Sequence, residues 1–306
     1  RGFDWFYGLL QGSRGYFPAK APTPHQVIQE NGKPTEESGY VTDRFGDAAV
    51  RFITEHREQP FFLFVSFTAP HGPLQPKQED FDALTQFQQL RRRRYAGLIR
   101  SLDANVGKVL AALDALGLAD HTLVVFTNDN GGQTLTGANN QPLRGRKGQL
   151  VEGGIRVPMC MRWPGRIRAG SVVEDPVISL DLLPTFVRAG GGTVDPAWRL
   201  DGVDLLPRLT GVSAALPERP LFWRFGGPGG AAAVRLGRYK LLIADRAKSS
   251  EPELYDLAAD LGEARDLAGQ PVHAELRGKL HGLLTGWEKE LVEPSWTYGR
   301  RQDRRK

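Results

Sequence analysis

The sequence has almost no cysteine and no long apolar run, and these absences narrow the class of protein. Cys160 is the single cysteine among 306 residues, which excludes a disulfide framework within the chain. No apolar run reaches the roughly 18 residues of a membrane-spanning helix; the longest, residues 61–67, has the length of a strand. No basic segment followed by an apolar one stands near Arg1, so no signal peptide is visible. The composition, 40% hydrophobic and 25% charged, is that of a globular protein.

Positive charge is in moderate excess. The formal net charge is +5, and part of it lies in Arg91–Arg94 and in the tail at residues 300–306. We expect these residues to form a solvated helix face and an unstructured end. The alternative is a surface that attracts polyanions, either nucleic acid or sulfated glycans. No nucleic-acid-binding motif accompanies the charge, so composition alone identifies no partner.

The first two-thirds of the chain alternates between helix and strand patterns. Apolar residues recur at helical spacing in some segments and form continuous runs, typical of strands buried on both faces, in others. This alternation predicts an α/β fold, a mostly parallel sheet flanked by helices. The helix patterns cover residues 42–57, 95–116 and 179–189, and the strand patterns cover residues 61–67, 123–126 and 155–163.

The pattern changes after Gly211. Short strand patterns at residues 221–225, 233–236 and 239–244 precede a helix pattern at residues 272–291. Strands followed by one helix indicate an α+β arrangement. We therefore predict an α/β domain over residues 1–211 and a smaller C-terminal α+β subdomain over residues 212–306, which ends in the basic tail.

A histidine follows the first predicted strand. Residues 69–73 read Ala-Pro-His-Gly-Pro, which places His71 between two prolines. Ligands bind outside the carboxyl ends of the strands in an open parallel sheet. An imidazole at that edge can hydrogen-bond an anionic oxygen or move a proton. The alternative interpretation is a proline-glycine loop with an incidental histidine.

Asp129 and Asn130 follow the next predicted strand. Their carboxylate and amide oxygens are ligands that hard cations such as Ca²⁺ and Mg²⁺ prefer. Asn, Asp and Gly are also ordinary turn residues, so a simple turn is the alternative. Two ligands do not complete a metal site, and further oxygens must come from elsewhere in the protein.

Lys147 lies in a glycine-punctuated basic loop that leads into a predicted strand. A lysine ammonium is a point charge with three donors, suited to a sulfate or phosphate oxygen; a flexible basic loop is the alternative. We expect His71, the Asp129/Asn130 pair and Lys147 to converge at one edge of the sheet. A metal, a lysine and a histidine around one oxyanion would suit ester hydrolysis at sulfur or phosphorus.

These motifs, in this order and spacing, resemble the formylglycine-dependent sulfatase family of the alkaline-phosphatase superfamily. The resemblance rests on residues 1–4 (RGFD), 69–73 (APHGP), 127–131 (TNDNG), 143–148 (LRGRKG), 152–158 (EGGIRVP) and 253–257 (ELYDL). It implies an alkaline-phosphatase-like fold with a smaller C-terminal subdomain. Asp129 and Asn130 would ligate a divalent metal, usually Ca²⁺, and Lys147 and His71 would contact the sulfate and assist the leaving oxygen.

The family's nucleophile is a hydrated formylglycine made from the Cys or Ser of a Cys/Ser-x-Pro-x-Arg motif, and that motif is absent from this sequence. Cys160 lacks a proline two positions later, and we expect it to be a core residue. The resemblance therefore implies the C-terminal portion of a sulfatase, inactive alone, with apolar strand edges exposed where upstream strands are missing.

Two other functions stay open at this stage. One is a phosphodiesterase or phosphonate monoester hydrolase of the same superfamily; the other is a catalytically inactive, sulfatase-like protein that binds glycans. The resemblance implies a sulfated small molecule or glycan as the ligand rather than nucleic acid. It also implies a secreted, periplasmic or otherwise exported protein.

Overall fold

The computed structural model describes residues 2–227, 229–246 and 251–292. The basic tail at residues 300–306 lies outside the described residues. Contacts divide the chain into two compact units: residues 2–122 with 135–138, and residues 123–134 with 139–292. This division does not test the predicted domain boundary at residue 211, which stays a prediction.

The first unit combines two long helices with short strands. Val41, Phe45 and Leu98 bury their side chains in one core, to which both long helices contribute. This packing follows from apolar residues spaced at one face of each helix. The described elements of this unit are β1 (Tyr7–Gly8), β2 (Gln29–Glu30), β3 (Lys33–Pro34), α1 (Val41–Glu55), α2 (Gln78–Asp82) and α3 (Leu90–Ala115).

The predicted helices of the first unit are present with shifted ends. The prediction of residues 42–57 corresponds to α1, and that of residues 95–116 corresponds to α3, which begins five residues earlier. Gly117 follows α3 with a positive φ of 68°, the conformation that suits glycine after a helix.

Three of the four consecutive arginines donate hydrogen bonds to backbone carbonyls instead of facing only solvent. Arg91, Arg92 and Arg93 bind the carbonyl oxygens of Leu135, Gly137 and Phe81 at 2.8, 2.7 and 2.8 Å. The expectation of a solvated basic face is therefore only partly right, because these guanidinium groups fasten neighbouring segments to α3.

Residues 61–67, predicted as a buried strand, join none of the sheets that the described residues form. Phe62 and Phe64 are 56% and 69% exposed. Apolar character alone does not make a strand, because the ladder requires a neighbour that exchanges backbone hydrogen bonds. The prediction of parallel pairing is not met either, since every pairing among the described strands is antiparallel.

The second unit contains a two-stranded and a four-stranded antiparallel sheet. β4 pairs with β5, and β6 to β9 pair in sequence order. The described elements are β4 (Val124–Thr127), α4 (Glu152–Ile155), β5 (Met159–Arg162), α5 (Leu182–Ala189), α6 (Leu206–Leu209), β6 (Leu221–Phe225), β7 (Ala231–Leu236), β8 (Tyr239–Ile243), β9 (Glu253–Asp256) and α7 (Ala274–Glu288). The mixture of helices and sheets with a C-terminal sheet subdomain confirms the α/β class.

Both faces of the four-stranded sheet are covered. Side chains alternate between faces along a strand, so Leu241 of β8 packs with Leu280 and Leu284 of α7. Leu242, the next residue, packs on the opposite face with Leu150 and Val151, which come from a long loop before α4. The sheet is therefore the support on which that loop rests.

Cys160 is exposed, which corrects its prediction as a core residue. It lies in β5 opposite Phe126 of β4, and Phe126 is itself 37% exposed. The apolar run around Cys160 predicted burial, but this face of the β4–β5 ribbon is open. Among the described residues, no helix has both the length and the apolar character needed to cross a membrane.

The exposed phenylalanines lead to a first testable prediction. Phe3, Phe62 and Phe64 are all more than half exposed, and the Phe3 and Phe62 rings lie 6.0 Å apart. A contiguous apolar patch binds hydrophobic dyes. The double substitution Phe62→Ser/Phe64→Ser should lower the fluorescence of the dye ANS bound to this chain.

The thermal midpoint of that variant should change by less than about 2 °C, because exposed side chains contribute little to stability. Val272→Ser, at an isolated residue that is 79% exposed, is the control and should leave dye binding unchanged. Undiminished fluorescence in the double variant would show that the patch is not the binding surface.

Candidate functional site

His71 lies in the first unit, and its backbone is held on both sides. The His71 N–H donates to the carbonyl oxygen of Thr68 at 2.9 Å. The hydroxyl of Tyr16 donates to the His71 carbonyl oxygen at 2.8 Å, and Tyr16 is 1% exposed. Burial raises the pKa of Tyr16 well above its ordinary value, so this hydroxyl stays protonated as a donor. The backbone of His71 is therefore held in place by both hydrogen bonds.

The ring of His71 is exposed and has a defined proton arrangement. Nδ1 lies 2.9 Å from the carbonyl oxygen of Gly72. A carbonyl can only accept, so Nδ1 carries a proton in this contact. Nε2 is then an acceptor in the neutral ring and a donor in the imidazolium. The side chain can thus accept or deliver a proton at Nε2.

Asp129 and Asn130 lie in the second unit, in the turn that follows β4. We call residues 128–132 the Asp129 loop. Asp129 is exposed, and the Asn130 amide nitrogen donates to Asp129 Oδ2. The two side chains therefore adjoin one another at the end of a strand, as the sequence predicted. Their adjacent oxygen-bearing groups have the chemistry of a hard-cation site.

The loop that carries Lys147 is hydrogen-bonded to the Asp129 loop. We call residues 143–154 the Lys147 loop. The Lys147 N–H donates to the carbonyl oxygen of Gly132 at 3.3 Å. Asn140 joins the same two loops, because its Nδ2 donates to the carbonyl oxygens of Gly132 at 2.8 Å and of Gly145 at 3.0 Å. Asn140 lies in a polar, irregular segment, and nothing in the sequence marks it as a residue that joins the two loops.

Glycines allow these loops to touch. The Gly131 N–H donates to the carbonyl oxygen of Gly154 at 2.9 Å. A Cβ at Gly131 would lie 1.9 Å from the carbonyl oxygen of Gly153, and a Cβ at Gly153 would lie 2.4 Å from that of Arg144. Backbone cannot yield as a flexible side chain can. A side chain at Gly131 would therefore force the Asp129 and Lys147 loops apart, and one at Gly153 would open the Lys147 loop itself.

The cations of the Lys147 loop differ in their surroundings. Arg144 Nη2 lies 3.0 Å from Glu253 Oε2, and its guanidinium lies 5.0 Å from the centre of the Tyr255 ring. Arg146 and Lys147 are exposed and form no ion pair with a carboxylate of the described residues. Lys147 is therefore a cation on a fastened loop, without a competing acidic partner in the part of the chain that the structure describes.

At the end of the Lys147 loop lies a set of charged residues that sequence reasoning missed. Glu152, Lys240 and Glu263 are buried, and Arg156, which pairs with Glu152, is exposed; we call these four residues the buried network. Lys240 Nζ lies 2.8 Å from Glu152 Oε1 and 2.9 Å from Glu263 Oε1. Arg156 Nε lies 2.6 Å from the second oxygen of Glu152. Lys240 and Glu263 are 0% exposed and Glu152 is 3% exposed.

The network keeps Glu152 charged. Burial alone would raise the pKa of the Glu152 carboxyl, but the neighbouring Lys240 and Arg156 outweigh burial, and the pKa is lowered. A signal for Lys240 existed in the sequence, since it is a lysine inside the otherwise apolar strand β8. Its partners could not be identified from the pattern.

The predicted site residues are thus partly brought together. Asp129, Asn130 and Lys147 lie on two loops joined by hydrogen bonds, whereas His71 belongs to the other unit and its convergence with them stays a prediction. Among the described residues, no group of three or more His, Cys, Asp or Glu side chains is arranged to hold a metal. Asp129 and Asn130 therefore supply only part of the oxygen ligands that a hard-cation site needs.

Comparisons of this chain with known proteins point to the sulfatases. A family model described as Sulfatase matches residues 1–192, and one described as N-sulphoglucosamine sulphohydrolase, C-terminal, matches residues 146–290. The chain is 32% identical over 280 residues to steryl-sulfatase of Mus musculus, with 80% of this chain and 44% of that protein covered. It is 31% identical over 293 residues to N-acetylgalactosamine-6-sulfatase of Mus musculus, with 90% and 54% covered.

The structural comparison extends over almost the whole chain. The crystal structure of Ps i-CgsB has a TM-score of 0.89 and 32% sequence identity, covering 97% of this chain and 68% of that one. The same protein was also solved in complex with k-i-k-neocarrahexaose. The chain spans about half, or less, of the length of the curated relatives it matches.

The closure of the Lys147 loop on itself gives a second prediction. Gly153→Ala should lower the free energy of unfolding by about 1–3 kcal/mol, because the added Cβ meets the Arg144 carbonyl oxygen and the loop backbone must move. Denaturant titration followed by circular dichroism measures the change.

Gly278→Ala is the matched control, since a Cβ there meets nothing within 4 Å and the residue lies in α7. Alanine favours a helix interior over glycine, so this control should be neutral or slightly stabilising. Equal stability of the two variants would mean that the Lys147 loop does not depend on the close approach between Gly153 and Arg144.

Proposed function

This chain belongs to the sulfatase family, and on that premise we propose that it is part of a sulfuric ester hydrolase and contributes His71, Asp129, Asn130 and Lys147 to the active site. The main support for this proposal is the position of Lys147. Its ammonium is exposed and has no acidic partner among the described residues, and its loop is hydrogen-bonded to the Asp129 loop. A cation on a loop that is bonded to the loop of two oxygen ligands would suit an anionic ester oxygen that also faces a metal.

The chemistry of each side chain follows from its surroundings. Lys147 would bind a sulfate oxygen, since an ammonium neutralises the negative charge of that group. His71 would deliver a proton from Nε2 to the departing oxygen, because Nδ1 is occupied by the Gly72 carbonyl. Tyr16 would keep that imidazole in place through its bond to the His71 carbonyl.

The family generally implies a divalent metal, and we propose Ca²⁺. Asp129 and Asn130 would supply two of its oxygen ligands, with the others from a segment upstream of this chain. A bound divalent cation supplies positive charge next to the sulfate oxygens. The same upstream segment would supply the formylglycine nucleophile, so we expect this chain alone to be inactive.

We propose a sulfated glycan as the substrate and an exported location for the protein. The net charge of +5 favours polyanionic ligands. The related Ps i-CgsB, 33% identical, was solved with an oligosaccharide, k-i-k-neocarrahexaose.

The role of Lys147 is tested by Lys147→Ala in the protein that includes the upstream segment. We expect kcat for a chromogenic aryl sulfate to fall about 10²–10³-fold, the size of loss that follows removal of a group stabilising transition-state charge. Arg146→Ala removes a cation from the adjacent exposed residue and is the control, with an expected loss under about threefold.

The same assay with the corresponding aryl phosphate distinguishes a sulfatase from a phosphodiesterase. Faster hydrolysis of the phosphate ester would favour a phosphodiesterase. Turnover unaffected by Lys147→Ala would remove this residue from the active site.

The metal is tested by Asp129→Ala. Loss of one carboxylate ligand should abolish both the Ca²⁺ retained after dialysis, measured by plasma mass spectrometry, and the turnover of sulfate ester. Asp120→Ala, outside the Asp129 loop, should retain both. Full Ca²⁺ retention in Asp129→Ala would contradict its assignment as a ligand.

A further inference from the structure

Lys240 occupies an unusual place for a lysine, the buried face of a sheet. Side chains of β8 alternate between the two faces. Leu241 and Ile243 pack in the core with α7, whereas Leu242 packs under the Lys147 loop with Leu150 and Val151. Lys240 is two residues from Leu242 and therefore lies on the loop's side, with 0% of its surface exposed.

The charges of the buried network balance. Lys240 and Arg156 are positive, and Glu152 and Glu263 are negative, so the four residues are neutral together. Each buried carboxylate contacts the Lys240 ammonium within 2.9 Å. A buried charge without a partner is strongly destabilising, so Glu152, Lys240 and Glu263 depend on one another, whereas the exposed Arg156 does not depend on a partner in this way.

The network fastens the end of the Lys147 loop by backbone as well as by side chain. Glu263 Oε2 accepts a hydrogen bond from the Glu152 N–H at 2.7 Å. Glu152 lies in the loop five residues after Lys147, and the next N–H, that of Gly153, donates to the carbonyl oxygen of Arg144 at 2.7 Å. The loop is thereby closed on itself from residue 144 to residue 153.

Stability alone does not account for this arrangement. Leu150 and Val151 already bury the loop against the sheet, and well-packed apolar residues often replace a buried ionic group with no loss of stability. Apolar contacts are non-directional, whereas the hydrogen bonds of Lys240 and Glu263 define one position of Glu152. The ionic hydrogen bonds therefore supply what apolar packing cannot, a single defined position of Glu152.

We propose that Lys240 and Glu263 are positioning residues for Lys147: through Glu152 they hold the Lys147 loop where its ammonium can bind a sulfate oxygen. This inference rests on the proposed function, because the position of Lys147 matters only if Lys147 binds the sulfate. Lys240 itself touches no substrate, because it is completely buried.

The first experiment measures the loop directly and needs no catalytic activity. Lys240→Met/Glu263→Gln removes one charge of each sign and leaves Glu152 paired with Arg156. Hydrogen exchange followed by mass spectrometry on this chain should show amides of residues 144–154 exchanging at least about tenfold faster than in the unchanged chain. Amides of β6 should keep their rates.

The matched control is Arg219→Met/Asp181→Asn, which removes a second buried ion pair of the same unit. Arg219 Nη2 and Asp181 Oδ2 are 2.5 Å apart, and the Asp181 side chain is 0% exposed. This control should not speed exchange at residues 144–154. Loop exchange within about twofold of the unchanged chain in a folded Lys240→Met/Glu263→Gln variant would overturn the proposal. Should that variant not fold, Glu263→Gln alone is judged by the same two limits.

The second experiment asks whether the network acts through Lys147. In the protein with its upstream segment, Lys240→Met/Glu263→Gln should lower kcat/KM for an aryl sulfate about tenfold. In a Lys147→Ala background it should lower kcat/KM less than about twofold, because the group being positioned is gone. A general structural role would give equal losses in both backgrounds and would overturn the proposal.

The outcomes separate this inference from the proposed function. A complete protein that hydrolyses no sulfate ester would contradict the proposed function, and hydrogen exchange would still decide whether the network holds the loop. Faster loop exchange combined with equal losses in both backgrounds would show anchoring of the loop without positioning of Lys147.

Discussion

A lysine with no exposed surface must be accompanied by compensating charge, and this requirement organises the second unit. Lys240 brings together Glu152 and Glu263, which are 88 and 23 residues away in the sequence. The strand, the loop before α4 and the segment after β9 are thus tied to one ammonium group. Leu150 and Val151 pack on the same face of the sheet and supply apolar contact, and the charges fix the position of the loop.

From this fixed base the candidate site is built outward by backbone contacts. The Lys147 loop is closed by the bond from Gly153 to Arg144, and the Asp129 loop is joined to it through Gly131 and Gly154. Only residues without a Cβ allow such approaches. The exposed polar side chains of the two loops are therefore attached to backbone segments that constrain one another.

The sequence predicted elements well where periodicity decides the structure. β6 was predicted at its observed bounds, and the inward leucines of α7, Leu280 and Leu284, are fully buried. Residues 61–67 were predicted wrongly because an apolar run does not say which strand lies beside it. The loops of the candidate site were proposed from residue types alone. Asn140 and Lys240 were missed, because their contacts depend on partners that only the folded chain brings near.

Asn140 illustrates how little separates a matched junction from a repelling one. Its Nδ2 donates to two carbonyl oxygens, one from each loop, while its Oδ1 accepts from the Gly132 N–H. An aspartate has the same outline, with oxygen in place of that nitrogen, and would set one acceptor against two others. At this point the meeting of the loops depends on which element occupies one position of the side chain, and a residue of the right shape but the wrong polarity would turn two attractions into repulsions.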